Sequence, residues 1–293
     1  MMIAHSFPKR SGSVPRTVLA GLAAWLALAG PALAVSSPWS ASMGGKFRLV
    51  AAGGKTTADG RYLAGIQIAL APGWKTYWRS PGDSGIPPRF DFAASSNVGS
   101  VEVLYPPPVR DYDGFSTTLV YKSDVVFPLR IAPKDPTKPV LLTVKAEYGI
   151  CEKVCVPAES EATVFVSPKS HADAETTGLI DTALRRVPAA LTAADTKAGR
   201  GVKSVTFDAE TKRLEIEVGF ASTSGKRDLF AEGPESWYLG VPKPEAGKDA
   251  KAGGGRYGLS LASVPKSARL KGTKLTFTIV DGKTAYQQVW RLE

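Results

Sequence analysis

Short runs of alternating apolar and polar residues, broken by proline and glycine, recur along most of this chain. A side-chain period of two fits a half-buried strand and cannot form the apolar stripe of a helix. Tyr62, Ala64, Ile66, Ile68 and Leu70 alternate, and Val125–Ile131, Val140–Tyr148 and Ala162–Val166 are rich in apolar and β-branched residues. Ala71-Pro72-Gly73, Ser80-Pro81-Gly82 and Pro106-Pro107-Pro108 separate them as turns. Many short strands at this spacing predict an antiparallel sandwich. Pro128 inside a strand-like run predicts an edge or a bulge there.

The pattern changes once and then returns. In Asp173–Val187, Leu179, Ile180, Ala183, Leu184 and Val187 share one helical face. Asp173 suits the N-cap, Arg185 and Arg186 suit the C-terminal dipole, and Pro188 stops the helix. The polar stretch 192–201 reads as a linker. Beyond it, Leu214, Ile216, Val218 and Phe220 alternate, as do Leu275, Phe277 and Ile279. Residues 245–256, rich in Gly, Ala and Lys, predict a mobile surface loop. The expected fold class is mostly β: two antiparallel sandwiches, 35–167 and 202–293, joined by a short helical linker, 168–201.

The first 34 residues predict the compartment. Lys9, Arg10 and Arg16 precede an apolar run from Val18 to Ala29, and Ala32-Leu33-Ala34 offers a small-x-small cleavage site. That order is a secretory signal, and about a dozen apolar residues is too short to span roughly 30 Å of hydrocarbon. Cleavage after Ala34 would leave a protein that does not span the membrane; in a Gram-negative cell it would be periplasmic. The net charge of +10 includes the leader's three basic residues, and the remaining charges are scattered. A nucleic-acid partner is not expected of such a chain.

Composition then narrows the chemistry. The chain has two cysteines and two histidines, and His5 leaves with the leader. Two cysteines cannot build a four-thiolate zinc site or an iron–sulfur cluster, so no cofactor is expected. His171 alone makes His-based hydrolysis a poor reading. Cys151 and Cys155 stand in a Cys-x3-Cys pair between two strands, a spacing compatible with a disulfide across a three-residue loop. Closing a loop of about five residues contributes roughly 2 kcal/mol in the chain-entropy model, against about 4.7 for 100 residues. A staple so local adds little to a sandwich with its own core, and a tightly closed pair suits exchange. On spacing and compartment, redox exchange, a structural staple and metal binding all remain open.

The run Gly73-Trp74-Lys75-Thr76-Tyr77-Trp78-Arg79, the segment Tyr121–Leu129 and the stretch Tyr148–Pro157 together resemble the periplasmic N-terminal domain of the DsbD family of thiol:disulfide interchange proteins, nearest its ScsB-type branch. The resemblance implies an immunoglobulin-like fold whose cysteine pair shuttles two electrons as a thiol-disulfide oxidoreductase. A separate membrane-embedded donor would load the pair, and thioredoxin-fold periplasmic proteins would be its clients. It implies Cys155 as the attacking sulfur, Cys151 as the resolving one, and a shielding loop carrying Phe115 or, second, Tyr112. Trp74, Tyr77 and Trp78 read first as core and second as a docking surface. Full-length relatives also carry membrane and thioredoxin regions that this sequence lacks.

Two rival readings use the same pair. A Cu(I) chaperone would take Cys151 and Cys155 with His171 as its third ligand, since thiolates suit Cu(I). A non-enzymatic assembly module would keep the disulfide as structure alone.

Overall fold

Period-two patterning becomes a chain of strands. A computed structural model describes residues 35–222, 225–245 and 254–293; the predicted leader lies outside them. The first half contains β1 (Ser40–Ser42), β2 (Gly45–Thr56), β3 (Tyr62–Leu70), β4 (Lys75–Gly82), β5 (Arg89–Asp91), β6 (Val98–Val103), β7 (Val109–Tyr112), β8 (Thr117–Tyr121), β9 (Val125–Pro133), β10 (Val140–Cys151) and β11 (Cys155–Val166). There follow α1 (Ala174–Arg186), β12 (Ala189–Ala190) and α2 (Ala193–Lys197). The second half contains β13 (Gly201–Asp208), β14 (Arg213–Gly219), β15 (Arg227–Glu232), β16 (Lys243–Glu245), β17 (Gly254–Ser260), β18 (Lys274–Asp281) and β19 (Thr284–Arg291).

The first half is a sandwich of two sheets, ordered β1-β2-β3-β9-β6 and β11-β10-β4-β8-β7, with β5 added on β10. Their inner faces bury Phe47, Ile66, Trp78, Phe127, Leu129 and Tyr148. The second half places β12-β19-β18-β15 opposite β13-β14-β17-β16, over a core that includes Leu214, Ile216, Leu259 and Phe277. The protein is therefore mostly β and antiparallel, as expected; among the described strands β12 alone pairs in parallel, with β19.

Three expectations need correction. Pro128 lies on β9, an inner strand, rather than on an edge. Its carbonyl accepts from Leu104 N on the β6 side, just past the last paired rung, Val103↔Leu129. In a strand the N–H and C=O of one residue point the same way, so the missing donor faces a place where the ladder has already stopped. The 192–201 stretch is not a bare linker: Thr192 and Asp195 form a capping box that starts α2, and Gly201 opens β13. Of the predicted loop 245–256, Glu245 closes β16 and Gly254–Arg256 open β17, while 246–253 lie outside the described residues.

The predicted helix forms with Asp173 accepting from Thr176 N at its N-cap. Ile180 is fully buried against Val50, Ala52 and Leu63. This explains why β3 is buried on both faces along most of its length: α1 covers the outer side of the sheet. No helix among the described residues is long and apolar enough to cross a membrane.

Candidate functional site

The β10–β11 hairpin carries the cysteines. Its register runs unbroken from Val140↔Val166 to Cys151↔Cys155, so the two cysteines face each other on the last rung. Their Cα atoms are 4.2 Å apart and their sulfurs are bonded. Topology then makes them unequal. β10 is flanked on its other side by β4, where Cys151 pairs with Lys75 and Ile150 with Thr76, whereas β11 is the outermost strand. Cys151 is 0% exposed and packs with Tyr77, Val120, Ile86 and Val109. Cys155 is exposed, together with Glu152, Lys153 and Val154 of the hairpin loop.

Tyr77 reaches both sulfurs. Its hydroxyl lies 3.1 Å from Cys151 Sγ and 3.0 Å from Cys155 Sγ. Disulfide sulfurs carry no proton, so in this state the phenol is the donor. The ring is 2% exposed, and burial pushes its ionisation above the ordinary tyrosine value. Two glycines make room for it. A Cβ on Gly149 would lie 2.9 Å from Tyr77 Cδ2, and one on Gly85 would overlap the opposite side of the ring. Thr76 ties the same strand to β10 by donating to Gly149 O at 2.8 Å.

Charge is arranged one layer out. Asp111 on β7 takes Lys75 Nζ at 2.5 Å and Lys122 Nζ at 2.6 Å. Burial raises its carboxyl, but the hydrogen bonds from Lys122 and Lys75 outweigh this and hold it below the usual carboxylate value. The Asp111 pairs thereby join β4, β7 and the β8–β9 turn beside the cysteines.

The loop between β7 and β8 stands open. Phe115 is 98% exposed and Tyr112 69%, so neither ring packs on the disulfide. Asp113 Oδ1 accepts from Phe115 N and Ser116 N, and Tyr112 O–H donates to Gly114 O. The loop is thus shaped by its own hydrogen bonds. Of the aromatic run, Trp78 is 1% exposed and sits in the sandwich core, while Trp74 is partly buried beside it.

His171 is not brought to the cysteines. Gly45, at one end of β2, lies against Ile150, the neighbour of Cys151. Gly54, toward the other end, donates to Ser170 O next to His171. Nine residues of strand span at most about 30 Å, and the irregularity after Ala51 shortens this, but the two contacts still lie toward opposite ends of β2. Among the described residues no group of three or more His, Cys, Asp or Glu side chains is placed to hold a metal.

Tyr77 is the site residue that sequence reasoning missed as such. It stands in an aromatic run that reads as core, and it is core by burial. A weak signal was present in Gly85 and Gly149, whose service to one ring is visible only once β4 and β10 are paired.

Fold and site together define a class: an immunoglobulin-like β protein with one disulfide-forming pair at a hairpin end. Residues 50–167 match the model of the family described as Thiol:disulfide interchange protein DsbD, N-terminal. Among solved structures, the N-terminal periplasmic domain of ScsB from Proteus mirabilis has a similar fold, with a TM-score of 0.65 at 18% identity. The match covers 88% of this chain and 98% of that one, reaching well beyond the family segment. No curated protein matches the chain.

Proposed function

We propose that the chain is a periplasmic thiol:disulfide interchange module that relays reducing equivalents through Cys151 and Cys155. Thiol:disulfide interchange as a class accords with the DsbD N-terminal segment and its disulfide-forming pair. The observation that carries the finer reading is the asymmetry of one bond: Cys155 is exposed, Cys151 is fully buried, and one phenol touches both sulfurs.

In the reduced pair, the Cys155 thiolate attacks a client disulfide. A Cys155–client bond forms, and the client's other sulfur leaves as a thiolate and takes up a proton. The Cys151 thiol then loses its proton and attacks Cys155 Sγ. The second client sulfur leaves, and the Cys151–Cys155 disulfide is restored. The client gains two electrons and two protons in all. A dithiol donor, membrane-embedded and separate from this chain, returns them by the reverse sequence. The Tyr77 hydroxyl donates to whichever sulfur carries negative charge, which favours the thiolate at each stage.

Thioredoxin-fold proteins are the proposed clients, because such partners present a disulfide at an exposed edge that an exposed Cys155 can reach. Phe115 and Tyr112 are proposed as the shielding loop: it stands open beside the disulfide and closes over Cys155 in the reduced protein. The copper alternative loses its third ligand to the distance between His171 and the pair.

The test is a trap. A Cys151→Ala variant cannot resolve its mixed disulfide, so thioredoxin-fold clients should remain bound at Cys155 and be recovered from periplasmic extract. Recovery of none, together with a reduction potential below about −300 mV, the range of structural disulfides, would sink the proposal.

A further inference from the structure

The second sandwich has no cysteine, yet it grips the strands that surround the cysteine pair. Along β15 every second residue faces the first sandwich. Asp228 accepts from Arg110 Nε and Nη2 at 2.7–3.0 Å, and Arg110 Nη2 also donates to Leu229 O. The Phe230 ring lies 5.9 Å from that of Trp78, tilted by 56°. Glu232 takes Arg79 with both oxygens, at 2.6 and 2.9 Å. The intervening Leu229 and Ala231 belong to the second sandwich's own core.

The strands held in this way are β4 and β7, which carry Tyr77, Lys75, Val109 and Asp111 of the site. β4 carries Lys75 and Tyr77 ahead of Trp78 and Arg79. On β7, Val109 packs in the cluster around Cys151 and Asp111 binds Lys75, while Arg110 between them points the other way, to Asp228. β7 is four residues long, lies at the edge of its sheet and, among the described strands, pairs with β8 alone. Its outer side is held by side chains of β15. Apolar contacts would join two sandwiches at least as well, because ion pairs taken out of water recover little net stability. A forked Arg–carboxylate pair adds direction and register.

We propose that β15 is a brace for the redox site, with Asp228 and Glu232 as positioning residues that set β7 and β4 around Cys151 and Cys155. The inference rests on the interchange reading above. Loosening the brace frees β7 and its loop, and the disulfide becomes easier to attack.

The experiment uses the full mature chain with Asp228→Asn and Glu232→Gln, which keep shape and remove charge. The readouts are the second-order rate of Cys151–Cys155 reduction by dithiothreitol at neutral pH and the Tm. Asp181→Asn, which breaks the Lys55–Asp181 pair between α1 and β2, serves as the control. Asp228→Asn, which frees β7 and its loop, should be reduced faster by about two- to thirtyfold, the span of typical coupling energies, whereas Glu232→Gln, which loosens β4 and with it Tyr77, should be reduced more slowly by a comparable factor, with the control unchanged. A parental rate in a folded variant of lowered Tm would make the pairs mere glue and overturn the brace. Should Asp228→Asn not fold, Glu232→Gln and Arg79→Lys decide the same point. Failure of the interchange reading looks different: Cys151→Ala with Asp228 and Glu232 intact would then trap no client.

Discussion

Cys151 and Cys155 face each other across the last rung of one hairpin, yet Cys151 is fully buried and Cys155 is exposed. The difference comes from strand order, because β10 has β4 on its far side and β11 has no neighbour there. After reduction, a thiol reagent at limiting concentration should modify Cys155 about tenfold faster than Cys151, since reactivity follows access to the thiolate. Peptide mapping of the labelled protein checks this. Equal labelling would remove the basis for assigning the two sulfurs different roles.

Tyr77→Phe keeps the ring and deletes the hydroxyl shared by the sulfurs. A lost hydrogen bond of about 1 kcal/mol corresponds to roughly a fivefold slower exchange, with a similar small loss of stability. Stopped-flow reduction by a dithiol, compared with thermal unfolding, separates the two effects. A fall in Tm with an unchanged rate would reduce Tyr77 to a packing residue.

Gly149→Ala tests the seat of that ring. The new Cβ would lie 2.7 Å from Ile86 Cβ and 2.9 Å from Tyr77 Cδ2, with backbone on the third side. Forcing it in should cost about 1–3 kcal/mol, as overpacking does, and should slow exchange by displacing Tyr77. Urea unfolding gives the first quantity and the dithiol assay the second. Gly178→Ala, on the open face of α1 where a Cβ meets nothing, disturbs neither the ring nor the sulfurs.

Stability should fall at both ends of the pH scale. The Asp111 carboxyl is held below 3.8 in the folded protein, so its contribution is present above that value and is lost as pH falls through the folded one. Asp111→Asn should flatten this acid limb. Tyr105 and Tyr257 are pushed by burial from 10.0 to about 12. Their contribution is full below pH 10 and disappears as pH rises toward about 12. Tm measured across both limbs, with Tyr257→Phe as the alkaline comparison, checks the signs.

Much of the fold was legible locally. Alternation in Tyr62–Leu70 and Leu214–Phe220 became β3 and β14, and the helical face around Ile180 became α1 within one residue of its predicted ends. The capping box of α2 was present as Thr192 and Asp195 but was hidden in a polar stretch too short for periodicity. Pro128 misled because a proline's cost depends on where the neighbouring strand ends, and that is a non-local fact. Asp228, Phe230 and Glu232 share a face by period two, yet nothing local says that this face meets another sandwich rather than water.

By itself the sequence determined a β-rich chain with one cysteine pair at a hairpin end, because side-chain period and short loop spacing are properties of neighbouring residues. Tertiary structure alone decided which cysteine meets solvent, which tyrosine touches the sulfurs, and how far His171 lies from them. It also decided that β15 grips the strands around the pair. Each of these depends on strand order and sheet packing, which bring together residues tens to more than a hundred positions apart, and the packing of whole faces chooses among such pairings.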